Sequence, residues 1–173
     1  MLLLLLLLAS PVSAQTGTVA RLPTATEEVE RLLRAGDLAA ALAHADAALA
    51  REPRNLTLRF VRAVILADQG KTAEAIAAFE ELTQDFPELP EPYNNLAVLL
   101  AAQGQLEQAR ALLLRALQAQ PNYLTAQENL GDLYVALAAE AYQRVLTMDP
   151  GNRNVQSKLA LTRELSTRLR ATR

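Results

Sequence analysis

Glycine recurs at Gly36, Gly70 and Gly104, and proline at Pro53, Pro87 and Pro121, both at an interval of 34 residues. A fixed period of this length marks a chain built from stacked copies of one supersecondary unit. Between each glycine and its neighbouring prolines the apolar residues fall at helical spacing, so each unit reads as two short amphipathic helices joined at the glycine. Glycine can take the left-handed conformation that ends the first helix. Proline lacks a backbone donor and disfavours helical geometry in the residue before it, so it stops the second. A single hairpin of this kind cannot bury its apolar face. The units must stack, and the stack presents one continuous inner surface.

At this period the units are residues 22–55, 56–89 and 90–123. Small residues recur as Ala41, Ala75 and Ala109, followed by Ala45, Phe79 and Leu113 and then by Ala48, Leu82 and Ala116. Alanine at the first of these sites lets the two helix axes approach closely, and a larger side chain there would force them apart. The pattern resembles the tetratricopeptide repeat, and the third unit matches it best through Tyr93, Leu96, Ala97, Leu100, Ala109, Leu113, Ala116 and Pro121. The resemblance covers about residues 22–150. It implies an all-α fold, a right-handed solenoid of three full helical hairpins and a shortened fourth, ended by a capping helix. It also implies a scaffold that binds a protein or peptide partner in a concave groove. The first unit is the least regular, with Val29, Leu32 and Leu33 as the apolar residues of its first helix. Thr24 or Thr26 is the expected cap, and the glutamates that follow suit the positive end of the helix dipole.

The fourth unit, residues 124–150, opens on the motif with Leu130, Gly131 and Tyr134. Counting back from Pro150 puts Ala138, Tyr142 and Val145 at second-helix positions, so about five residues are missing where the turn belongs. No glycine or proline falls between Asp132 and Asp149, and Leu130, Tyr134, Leu137, Ala141, Val145 and Met148 form a stripe at steps of three and four. One continuous helix is the simplest reading, and a sharply shortened turn near Ala138 is the other. Residues 151–173 then read as a basic capping helix, about 154–170. There Arg153, Lys158, Arg163, Arg168, Arg170 and Arg173 stand against Glu164, leaving +5 in this segment and −7 on residues 1–152. That helix either presents a solvated polar face or meets an acidic partner or anionic lipid.

Composition narrows the function. Aromatic residues make up 4% of the chain while alanine and leucine dominate, which suits close-packed helices. A net charge of −2 argues against a nucleic-acid partner. No cysteine is present and His44 is the single histidine, so thiolate chemistry and a two-histidine metal site are excluded. His44 and Asp46, two apart on a helix, face different directions. No phosphate-cradling glycine motif occurs. We therefore expect no enzyme, no cofactor and no metal. At the N-terminus, MLLLLLLLASPVSA (residues 1–14) carries seven consecutive leucines and then Val12, Ser13 and Ala14. Such a run is far shorter than the roughly 20 residues of a membrane span. It has the length of a signal-peptide core with a cleavage point before Gln15, although no basic residue follows Met1. Residues 15–21 form a linker, and the expected location is the periplasm or the exterior.

In the family resembled, the first helices of successive hairpins line the groove. Asn95 and Asn129 occupy the same position in the third and fourth units, where the second has Val61. Asparagine offers both donor and acceptor, so this pair could hold the backbone of an extended peptide, as an asparagine ladder does. Alternatively the two help the helices stack or face water. Phe60, Val64, Asn94, Val98, Glu128 and Asp132 surround them, giving a surface both apolar and acidic. A basic clamp for acidic C-terminal tails would need lysine, arginine or asparagine where this chain has Thr26, Glu30, Val61, Glu91 and Asn95, and only Asn95 fits. The competing class of function is structural, with self-association into a homo-oligomer through an exposed repeat face, in an envelope assembly such as a pilus, secretion or cell-wall complex.

Overall fold

The computed structural model describes residues 23–171, with side chains through Leu169. The expected signal segment, the whole of the linker, the Arg170 side chain and Arg173 lie outside the described residues. Eight helices and no strands are present among them: α1 (Ala25–Arg34), α2 (Leu38–Leu49), α3 (Leu56–Asp68), α4 (Thr72–Asp85), α5 (Pro90–Ala102), α6 (Leu106–Ala119), α7 (Leu124–Met148) and α8 (Arg153–Ala171). Helices adjacent in sequence pack against each other from α1 to α8, and α5 also meets α7. This is an all-α solenoid of paired helices.

Local chemistry sets the boundaries. Thr24 and Glu27 form a reciprocal capping box, with the Glu27 N–H donating to Thr24 Oγ1 at 3.2 Å and the Thr24 N–H to Glu27 Oε2 at 2.6 Å. Asp37, Asn55 and Asn152 accept from the third backbone N–H beyond them at 2.9, 3.1 and 3.1 Å. Gly36, Gly70 and Gly104 take φ of 75°, 72° and 78°. The residue after each glycine donates its N–H back to Leu32, Leu66 and Leu100 at 3.0, 2.9 and 2.9 Å, satisfying a carbonyl that the helix end leaves open. A Cβ added to Gly104 would meet nothing within 4 Å, so only its dihedral penalises a side chain. Gly104→Ala is expected to cost about 1 to 2 kcal/mol. Gly131 has the same free space but sits inside α7, so Gly131→Ala should stabilise by about 0.5 to 1 kcal/mol. Urea denaturation of the pair measures both signs.

The small residues of the repeat are fully buried. Ala41, Ala75 and Ala109 are each 0% exposed, and Phe79, Leu82, Leu113 and Ala116 join them in the core. Two groups of buried side chains share the second unit. Leu58, Ile65, Leu66 and Ala75 belong with α1 and α2, whereas Ala63, Phe79 and Leu82 belong with α5, α6 and α7. Each hairpin is therefore completed by both neighbours, as a linear array requires.

The fourth unit has no turn. α7 runs unbroken for 25 residues, about 37 Å at 1.5 Å per residue. Its consequence appears at Gly131 and Tyr134. The matching residues of the third unit, Ala97 and Leu100, are 0% and 7% exposed beneath α6. Gly131 is exposed and Tyr134 is 49% exposed, because the segment that should cover them continues along the same helix. The chain turns back only at Pro150–Asn152. α8 then packs along α7, with Leu159 buried, Arg163 Nη2 donating to Gln143 Oε1 at 2.9 Å, and Lys158 Nζ 5.9 Å from the centre of the Tyr142 ring.

Candidate functional site

α5 and α7 are the first helices of the third and fourth units, and α8 runs beside α7. Between them lies an open cleft of about 850 Å³. α5 contributes Ala97, Val98, Ala101 and Ala102, and the α6 side chains Leu106 and Leu113 close it from behind. Asn129, Asp132, Leu133, Ala136, Ala139 and Glu140 line it from α7, and Arg163, Ser166, Thr167 and Leu169 from α8. The walls are mainly apolar, with carboxylates, a guanidinium, hydroxyls and an amide among them. That is the lining of a site that takes apolar groups and orients them with a few polar contacts.

The cleft brings together three of the residues expected in the groove: Val98, 37% exposed, with Asn129 and Asp132. Asn94 adjoins them from below. It is 5% exposed, and its Oδ1 accepts from Asn129 Nδ2 at 2.8 Å. Asn95 points elsewhere, donating from Nδ2 to the Glu91 carbonyl of its own helix at 2.8 Å. Phe60 and Val64 are half-buried against the core, and Phe60 meets Phe79 edge-on at 5.8 Å and 70°. Glu128 is exposed outside the cleft lining. Asn129→Ala would remove the donor to a nearly buried oxygen and should cost about 1 to 3 kcal/mol. Asn95→Ala should stay within about 0.5 kcal/mol of the parent in the same urea titration.

Sequence reasoning missed the α8 wall and the far half of the α7 wall. The α7 residues were within reach, since Asp132, Ala136 and Ala139 follow one another at helical steps of four and three once α7 is taken as unbroken. The return of α8 along α7 left no such signal. Near the start of α7, partial burial and then the Glu91 carboxylate push the Tyr123 phenol above its ordinary value, against a hydrogen bond with Thr125. No cluster of three or more groups able to hold a metal occurs among the described residues. No helix among them is long and apolar enough to cross a membrane.

Two family models, both described as tetratricopeptide repeat, match residues 26–90 and 66–130. Together they cover the hairpins from α1 to α6 and the start of α7. The chain belongs to the tetratricopeptide repeat family. A relative from Arabidopsis thaliana, the chloroplastic tetratricopeptide repeat domain-containing protein PYG7, is 35% identical over 81 residues. The match takes in 44% of this chain and 27% of the relative, so the chain spans about a quarter of that protein's length. Among solved structures, the first repeat domain of Spaghetti (RPAP3), bound to the HSP90 peptide SRMEEVD, superposes with a TM-score of 0.62 at 22% identity. That superposition covers 66% of this chain and 90% of the other. MamA superposes with a TM-score of 0.59 at 20% identity over 79% of this chain and 82% of that one. At such identities the tetratricopeptide neighbours establish the solenoid fold. That fold is consistent with a protein–protein interaction scaffold.

Proposed function

We propose that this tetratricopeptide protein is a non-enzymatic adaptor of the bacterial envelope that binds an extended stretch of a partner polypeptide in the cleft between α5, α7 and α8. The cleft itself carries the reading: it is large enough for several side chains and lies on the first helices of two successive units. Its lining couples apolar walls to Asp132, Glu140 and Arg163. A partner segment with apolar residues beside a basic one suits this lining better than an acidic tail does. The RPAP3 neighbour holds a peptide whose sequence contains two glutamates and an aspartate. Here Glu30 and Glu91 stand at positions where a clamp for such a tail would need basic groups. Export is part of the proposal and rests on the leucine run and the small residues Val12 to Ala14.

A photo-activatable amino acid at position 98 tests the binding site, with the same group at position 114 as the comparison, since Leu114 is 47% exposed on α6 and does not line the cleft. Discrete adducts are expected from position 98 and should fall in yield when Asp132→Lys is added. Identical adducts from both positions, or none from position 98, would sink the groove reading. Fractionation of cells carrying a C-terminally tagged chain tests export, and retention in the cytoplasm with residues 1–14 intact would refute it.

A further inference from the structure

From its first residue to its last, α7 carries one seam that is exposed from Leu124 to Tyr134 and again at Met148, and half-buried at Ala138, Ala141 and Val145. Leu124, Gln127, Gly131, Tyr134, Ala138, Ala141, Val145 and Met148 follow at alternating steps of three and four. These are the core positions of a heptad pattern sustained for about three and a half heptads. Three of its four large apolar members are open: Leu124 is 79% exposed, Tyr134 49% and Met148 78%, while Val145 is half-buried. The neighbouring faces are already taken. Ala126, Leu130 and Leu133 are buried in the core shared with α5 and α6, and Tyr142 and Gln143 meet α8.

We infer that this seam is a homodimer interface in which the α7 helices of two copies pair antiparallel about a two-fold axis near Ala136. The inference does not depend on what the cleft binds. The choice of a second copy follows from the repeat register. In a complete hairpin, first-helix positions such as Ala97 and Leu100 pack on second-helix positions such as Ala109 and Leu113, and all four are buried. α7 holds both kinds of position in line, first-helix type at Gly131 and Tyr134 and second-helix type at Ala138 and Val145. On one straight helix they cannot reach each other. An antiparallel copy brings them together without a turn. Gly131 then faces the partner's Ala141, Tyr134 faces the partner's Ala138, and Gln127 faces the partner's Val145. Near the two-fold axis Tyr134 meets a small residue and Gly131 meets another, so the two helix axes can approach closely there. The same register sets Leu124 against the partner's Met148, so the two most exposed large apolar side chains of the described residues cover each other. The contact is self-complementary, as two-fold symmetry demands, and it closes without propagating.

The chain has no cysteine, so introduced thiols report the register directly. Leu124→Cys and Met148→Cys both replace exposed side chains. Light scattering of the purified parent should give twice the mass of one chain. Under mild oxidation a mixture of the two variants should form a disulfide-linked dimer, and neither variant should do so alone. Tyr134→Glu should leave the helical circular dichroism unchanged and raise the dimer dissociation constant at least about tenfold, the effect of losing a central aromatic anchor. Cross-linking within either variant alone would establish parallel pairing and overturn the inference. A single-chain mass at every concentration up to the solubility limit would overturn it too, whether the seam is bare or covered by residues 1–22. A Tyr134→Glu variant as dimeric as the parent would place the interface elsewhere.

Discussion

Phe79→Ala is expected to lower the unfolding free energy by about 3 to 5 kcal/mol, the range for removing a fully buried aromatic ring. Phe79 is 1% exposed and is the largest fully buried side chain among the described residues. It sits in α4 within the core that runs from α3 to α7, edge-on to Phe60. Alanine at this site leaves a cavity between the second and third units, and helices fixed by both neighbours cannot collapse into it. In a linear array such a loss weakens one interface rather than the whole molecule. The urea transition should therefore broaden or split as well as move, with a smaller slope for each step. Leu161→Ala, at a residue 66% exposed on α8, should stay within about 0.5 kcal/mol of the parent. A Phe79→Ala variant within 1 kcal/mol of the parent, with an unchanged slope, would mean that α4 does not join the units as described.

The hairpins were legible because their determinants are local. A glycine forced to positive φ, a proline that ends a helix and an alanine at a helix crossing each act through the residue itself. The unbroken α7 was legible for a related reason: five missing residues and no helix breaker leave nothing to make a turn. Pairings across the array were less so. Asn95 and Asn129 are equivalent by count, yet the hydrogen bond runs from Asn129 to Asn94, because the partner depends on how each helix is rotated. Arg59 is a second case. It stands where Tyr93 stands one unit later, and reaches Asp85 at 2.7 Å while its guanidinium lies 5.8 Å from the centre of the Phe86 ring. Periodicity marks such a position as one that packs, but says nothing of a cation packing there. The cleft depends on the path of α8, which nothing local specifies.

Restoring the turn should rebuild the fourth unit. The third unit spaces Leu100 from Ala109 with the turn residues Gln103, Gly104, Gln105, Leu106 and Glu107 among them. Inserting that pentapeptide between Ala136 and Leu137 returns Ala138, Tyr142 and Val145 to the 34-residue register. Glycine then supplies the left-handed residue that α7 lacks. The expected product has a hairpin in place of the long helix, with Tyr134 taking the buried role that Leu100, 7% exposed, plays beneath α6. Peptide-resolved hydrogen exchange should show fast exchange across the inserted turn and slow exchange on both sides of it. The seam would be consumed within each chain, so the insertion should also yield a single-chain mass from a dimeric parent. An uninterrupted protected helix through the insert would show that packing on α6 and α8, rather than the missing turn, keeps α7 straight. The two causes separate because the insertion restores only the turn: the buried α7 residues of the core shared with α5 and α6, Ala126, Leu130 and Leu133, all precede it, and only the half-buried Leu137 of that core follows it.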